Sequence, residues 1–426
     1  MKFPVALVSS LTLLVPLAPA IQAQNATARY VVRDLGALPG GGFSQPGLLN
    51  DAGVVAGLST ASDGIQHAVL WVGDQIVDLN SSGDHGLNAA GFGINALGRV
   101  SVQTETSAYD PNDEDFCAYR TKHVCSAAVW QGGRFVLLPT LGGNNSTVGN
   151  VNNHGQIPGV AETAIADPSC ASRVPSQKLR YQAVVWEPGR NRVRALPLPG
   201  KDTVSMALWM NDREQAVGIS GNCSNTNPPP IAGGQHAILW ESDGTPVDLG
   251  NLGYSQSAAL AINNRGQVVG ASSLRADATF FNGAHAFVWT RQHGMKDLGT
   301  LAGDVASGAV SINDAGEIVG ISIDPAGNPR AVYWSHGRPI DLNTQVASGF
   351  NLFLLWAGDI NNRGEITGWG IDTSTGEIHT YLAVPNRKSN NAIPDVQLDL
   401  PSTAPVSLPA ELRQRFEGGN ARQRYH

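Results

Sequence analysis

The densest chemistry in the chain is Tyr109-Asp110-Pro111-Asn112-Asp113-Glu114-Asp115-Phe116, where four carboxylates sit among aromatics. Oxygens of Asp110, Asp113 and Asp115 could hold Ca²⁺, the one cofactor this sequence suggests, because hard cations take oxygen ligands. With Tyr109 and Glu114 the same loop could instead take a basic or a sugar ligand. The spacing is not that of an EF-hand, and a solvated loop pinned by Cys117 is the plainer alternative. Phe280 and Phe281 are a second candidate contact, with a local packing plug as the alternative. Asp359 is a carboxylate that could line a central channel. No nucleophile elbow, zincin helix or phosphate loop occurs, so no catalytic residue is assigned.

Cys117, Cys125, Cys170 and Cys223 make an even count, which in an exported chain favours disulfides. Cys117–Cys125 and Cys170–Cys223 are the expected pairs. A metal at Cys117, His123 and Cys125 would lack a fourth ligand nearby.

Export is expected from the first residues. Met1-Lys2 is followed by an apolar run from Val5 to Leu17 and by small-residue cleavage sites at Ala18-Pro19-Ala20 and Ile21-Gln22-Ala23. The run is short for a membrane span. Residues 1–23 therefore read as a signal peptide, and the mature protein as secreted or periplasmic. The net charge of −7 gives no electrostatic case for nucleic-acid binding. Residues 386–426 are rich in Pro, Ser and Asn and read as a tail, with a short helix starting near Ser407.

Between these ends one phrase recurs, clearest as Ala261-Ile262-Asn263-Asn264-Arg265-Gly266-Gln267-Val268-Val269-Gly270. Its leading Asn falls at Asn50, Asn95, Asn152, Asn211, Asn263, Asn313 and Asn361. Six of these have Gly three residues later; the exception is Glu214. Asn opens a turn by bonding its own backbone ahead, and Gly supplies the positive φ that closes it. A second phrase follows, as in His236-Ala237-Ile238-Leu239-Trp240, and a third, as in Val247-Asp248-Leu249-Gly250. Each unit of roughly 50 residues thus holds four strands, the content of one propeller blade. The expected fold is all-β, a seven-bladed propeller over residues 24–385. The Trp residues ending the second phrase read as packing anchors.

These phrases resemble the HAF family of extracellular repeats, named for a tripeptide that stands here as His285-Ala286-Phe287. The resemblance spans Tyr30 to about Pro385, and blades two and three depart from it most. It implies export and repeat architecture, and no reaction.

The recurring His and Asp suggest a charge pair between the third and fourth strands of a blade. The pairs are His67 with Asp78, His236 with Asp248, His285 with Asp297, and Arg330 with Asp341. A turn at Val72-Gly73 would set His67 directly opposite Asp78. Where the basic partner is lost, as at Ser126 and Gln182, the Asp is lost too, which favours a structural role. Blade seven has His379 but no following Asp strand. Tyr30-Val31-Val32-Arg33-Asp34-Leu35-Gly36 supplies one, so this segment is expected to close blade seven with Asp34 facing His379.

Loop lengths vary on one face only. Insertions run from about Gln103 to Val124, Ala161 to Tyr181, Ile219 to Gln235 and Ala271 to Ala284, in blades two to five. They are expected to carry binding rather than core contacts. The function read from these features is a monomeric, non-catalytic binding or scaffold protein for an extracellular carbohydrate, envelope component or protein. The alternative is an extracytoplasmic hydrolase or lyase acting on a polysaccharide, with its site on the insertion-bearing face.

Overall fold

The computed structural model describes residues 28–80, 87–172, 177–190, 192–223, 235–254, 256–275, 278, 282–347 and 349–386. Residues 1–27, the residues beyond Asn386, Phe280 and Phe281 lie outside these residues, and with them the expected signal peptide and tail. The fold is a seven-bladed β-propeller of four-stranded antiparallel sheets. Blade one runs outward through Ser44–Leu49, Val55–Thr60, Gln66–Val72 and Gln75–Asp78. Five blades repeat that order. The seventh takes Leu352–Ile360, Ile366–Asp372 and Ile378–Pro385 from the end of the chain, and Tyr30–Gly36 from its start.

The Asn phrase explains how the blades are held in a ring. Each Asn side chain caps its own turn; in blade five, Asn263 Oδ1 accepts from the backbone N–H of Arg265 and Gln267. Its Nδ2 then donates to the Asn313 carbonyl of the next blade at 2.9 Å. The same link joins Asn50 to Asn95, Asn95 to Asn152, Asn152 to Asn211, Asn211 to Asn263, Asn313 to Asn361, and Asn361 back to Asn50, at 3.0–3.2 Å. The circle is complete. In blades three to seven a second amide hydrogen goes to the Gln or Glu four residues on, such as Gln267 Oε1. Asp could accept these bonds but not donate them, which is why the position needs an amide.

The blades meet through apolar strands. Trp71, Trp186 and Trp240 are fully buried, and burying such a side chain contributes on the order of 2–3 kcal/mol. Three blade tryptophans also use their polar ends between blades. Trp186 Nε1 donates to the Pro139 carbonyl, Trp240 Nε1 to Pro197 and Trp334 Nε1 to Leu298, each in the preceding blade. The ring of Trp186 lies over Gly159, where a Cβ would stand only 2.5 Å away.

The His–Asp pairs form, in a different register from the one expected. Val72 pairs with Gln75 because Gly73 takes φ +60°, which moves the turn to Gly73-Asp74. Asp78 therefore lies opposite Val69. His67 reaches it diagonally, Nδ1 to Oδ2, at 2.9 Å. The same diagonal holds for His236–Asp248 at 3.2 Å, His285–Asp297 at 2.9 Å and His379–Asp34 at 2.8 Å. Arg330 differs: its guanidinium bonds Asp304 first and lies 3.8 Å from Asp341. The closing strand is also tied down by Arg29, which donates to the Tyr333 hydroxyl at 2.7 Å and stacks on its ring.

Two outcomes follow. Asn263→Asp removes two donors from a buried amide, so urea unfolding should show a loss of about 2–4 kcal/mol. Glu214 occupies the glycine position of blade four at φ +62°, which side chains other than Gly resist. Glu214→Gly should therefore raise stability by roughly 0.5–1 kcal/mol in the same assay.

Candidate functional site

The strand order fixes two faces. The Asn turns end the innermost strands on one face. Connections between second and third strands emerge on the other, beside the links between blades. Between the faces the central channel is lined mainly by apolar groups. Most innermost strands carry a β-bulge just before the Asn turn, and the bulged residues, including Phe92, Leu208, Leu260 and Val310, line an apolar cavity of about 70 Å³. No histidine or carboxylate lines it among the described residues. Asp359 is not a channel group. It is buried at the Asn-turn end, where its Oδ2 accepts from Leu49 N at 2.9 Å and its Oδ1 from Ser311 Oγ at 2.6 Å. Blade one, blade six and blade seven are thereby joined, far from the acidic loop on the opposite face.

On the insertion face much of the extra length of blades two and three is strand. Val100–Tyr109 pairs on to His123–Gln131, and Ile157–Ala166 on to Leu179–Glu187, ending at Tyr109↔His123 and Ala166↔Leu179. Both expected disulfides are present. Cys117–Cys125 ties the acidic loop to the third strand of its own blade, and Cys170–Cys223 staples blade three to blade four. All four cysteines are buried in one apolar cluster with Phe116, Tyr181 and Met206.

The acidic loop is not simply a solvated one, and Asp110, Asp113 and Asp115 do not come together as the possible calcium trio. Asp113 points outward to Lys122 Nζ at 2.6 Å, and Asp115 accepts from Arg120 N. Asp110 and Glu114 turn inward and meet Glu162 of blade three. Their carboxylate oxygens lie within 4.8 Å of one another and are buried. Asn145 Nδ2 reaches all three, at 2.8 Å from Asp110, 3.2 Å from Glu114 and 3.1 Å from Glu162. Glu114 Oε1 also accepts from the backbone N–H of Lys178 and Leu179, which clamps the loop onto blade three. Gln177 donates to Glu162 Oε1 at 2.5 Å. Burial, then the adjoining Glu162, push the Glu114 carboxyl up to about 8, so it carries a proton at neutral pH. These three oxygen donors are the set best placed for a hard cation. Equally, one shared proton relieves their charge.

Sequence reasoning missed Glu162 and Asn145, and an equivalent pair in blade two. Glu105 Oε2 accepts from Asn88 Nδ2 at 2.8 Å. A signal existed. Glu105 and Glu162 occupy the strand position that other blades fill with Thr60, Gly221, Ser273, Ile323 and Ile371. Because the loop supplies Phe116, Glu114 and a buried disulfide, it belongs to the core as well as the surface, contrary to the expectation for an insertion.

The large apolar side chain that the acidic segment leaves exposed is Tyr109, 73% accessible. Its ring lies tilted against His123, with centroids 4.4 Å apart and 32° between the planes. His123 Nδ1 donates to the Thr106 carbonyl at 2.8 Å, which fixes the imidazole plane. Tyr254 and Leu274 are exposed on the same face, in the link before blade five and in its insertion. Phe280 and Phe281 cannot be placed beside them, lying outside the described residues. No helix among the described residues is long and apolar enough to cross a membrane.

No family model and no curated protein matches the chain. Several solved structures resemble it. TolB from Acinetobacter baumannii is 11% identical with a TM-score of 0.39, over 78% of this chain and 63% of that one. The acylaminoacyl peptidase of Pyrococcus horikoshii is 14% identical with a TM-score of 0.47, over 80% and 51% respectively. An oligogalacturonate lyase in complex with manganese is 9% identical with a TM-score of 0.44, over 80% and 88%. The chain thus spans 63% and 51% of the length of the first two, and these likenesses carry no activity across.

The raised Glu114 carboxyl has a consequence for stability. Folded, it keeps its proton up to about pH 8, whereas an unfolded glutamate releases it near pH 4.3. Between those values the folded state binds the extra proton, so stability falls as pH rises through the window. Glu114→Gln keeps the acceptor for Lys178 and Leu179 and stays neutral. It should flatten that decline and melt above the parent protein at pH 9.

Proposed function

We propose that the protein is an exported, non-catalytic binding or scaffold propeller, whose ligand is a carbohydrate, an envelope component or another protein held on the insertion-bearing face. One observation carries this reading. The polar residues that recur from blade to blade are engaged in framework bonds, while the added carboxylates and both disulfides lie at the insertion end of blades two to four. The two disulfides and the export-type leader favour an oxidising compartment, and the resemblance to HAF-type extracellular repeats supports the same location. A hydrolase or lyase would need converging carboxylates that a substrate can reach. Among the described residues, the carboxylates that converge, Asp110 with Glu114 and Glu162, are buried.

The test is to screen the full mature chain against a glycan array and against solubilised envelope fractions, then compare the two faces. The double variant Tyr254→Ala/Leu274→Ser on the insertion face should reduce capture several-fold. Leu97→Ser, at an 84% exposed position on the Asn-turn face, should leave it unchanged. Loss of capture with Leu97→Ser alone would place binding on the wrong face for this account, and turnover of an arrayed polysaccharide would favour the enzyme.

A further inference from the structure

We propose that the Cys117–Cys125 disulfide is a clasp closed by oxidation. It fastens the strap from Asp110 to Lys122 across blades two and three, and the propeller folds whether or not the clasp is closed. The inference goes beyond the binding reading and needs no particular ligand. The first argument is the conformation of the strap. Tyr109 and His123 form the last strand pair, and Asp110 N donates to the Lys122 carbonyl at 2.9 Å, which closes the neck. Between these points the backbone is left-handed at Asp113, Ala118, Arg120 and Lys122, with φ of 61°, 59°, 65° and 59°. They are four of the six non-glycine residues with positive φ among the described residues. Side chains other than Gly, Asn and Asp rarely take this conformation. Ala118, Arg120 and Lys122 do so inside the ring that the disulfide closes. Local preference does not hold such a segment in place; its surroundings must.

The second argument is how the strap is tied. Glu114 accepts from the backbone N–H of Lys178 and Leu179 in blade three, and Cys117 is bonded to the third strand of blade two. Phe116 and Cys117 are buried in a cluster with Val160 of blade three, Val310 of blade six and Trp356 of blade seven, and Tyr119 packs against it. The tie through Glu114 breaks and reforms as hydrogen bonds do. The tie through Cys117 is covalent and exists only in the oxidised chain. The third argument compares the two disulfides. Cys117–Cys125 spans 8 residues and Cys170–Cys223 spans 53. A cross-link restricts the unfolded chain less when its loop is short, and the left-handed residues in the short loop offset part of that gain. The Asn ring and the closing strand use neither Cys117 nor Cys125. The long cross-link therefore secures the fold, and the short one secures the strap. In the closing step the two thiols give two electrons and two protons to a small disulfide oxidant. Their S–S bond forms, and the oxidant leaves as two thiols.

The test uses the full mature chain, with hydrogen exchange read by mass spectrometry over residues 110–122 and over two strands of blade five, Ser257–Ile262 and Val268–Ser273. In Cys117→Ala/Cys125→Ala, exchange across the strap should rise roughly tenfold or more, while the blade-five strands stay within about twofold of the parent. That variant should also melt closer to the parent than Cys170→Ala/Cys223→Ala does. A second measurement isolates the clasp. Cys170→Ala/Cys223→Ala retains only Cys117 and Cys125; purified reduced and then oxidised with glutathione disulfide, it should regain slow exchange in the strap alone. Equal protection of the strap with and without the disulfide would overturn the proposal, since other contacts would then suffice to fasten it. Loss of protection in blade five together with the strap would overturn it as well, because the cross-link would then be holding the fold.

Discussion

Seven asparagine side chains, each bonded to the next blade, set the terms for the rest of this molecule. A hydrogen bond between neighbours is a local event, but here the last one returns to the first, from Asn361 to the Asn50 carbonyl. The circle closes only if every blade presents its turn at the same height and angle. That requirement explains the Asn of every turn, the Gly of six of them, the Gln or Glu four residues on in blades three to seven, and the bulge that precedes most of them. An outer series follows the same path through the next residues, from Ala96 N to Asn153 and onward to Asp51. It has six links rather than seven, because Ala96 carries no acceptor. Individually each bond contributes about 1 kcal/mol. Together they fix one end of every blade and leave the other end free to differ.

The free end is where this chain departs from its own repeat. Blades two and three replace small or apolar side chains with Glu105 and Glu162, each answered by an Asn, Asn88 or Asn145, from the innermost strand of the same blade. Longer strands, two disulfides and a loop clamped through Glu114 accompany that exchange. The result is a braced polar wall around one sector of the face. The exposed large hydrophobic side chains of this sector include Tyr109 and Ile165, both on paired strands.

How much of this was readable beforehand depended on whether the signal repeated. The Asn-turn phrase occurs seven times, so blade number, strand order and the closing role of Tyr30–Gly36 followed from spacing alone. The His–Asp partners were legible because they vary together. Their register was not, since it hinges on the positive φ of Gly73, a single residue's conformation. The carboxylate knot was hidden for a different reason. Asp110 and Glu114 are close in sequence to Asp113 and Asp115, but their partner Glu162 is brought in by blade packing, which no local pattern encodes. Asp359 was misplaced because its position before an Asn turn suggested a channel lining. The bulge instead turns apolar residues inward and leaves Asp359 bridging strands.

If ring closure is the governing constraint, removing the strand that completes it must matter more than removing any side chain on it. The direct measurement compares a chain lacking residues 28–36 with the Asp34→Ala variant, by size-exclusion chromatography and thermal melting. Losing the strand exposes an unpaired edge of blade seven, while the half-exposed His379–Asp34 pair is worth about 1 kcal/mol or less. The account predicts aggregation or loss of cooperative unfolding for the truncated chain and a nearly unchanged melt for Asp34→Ala. A truncated chain that remains monomeric and melts where the parent does would contradict it.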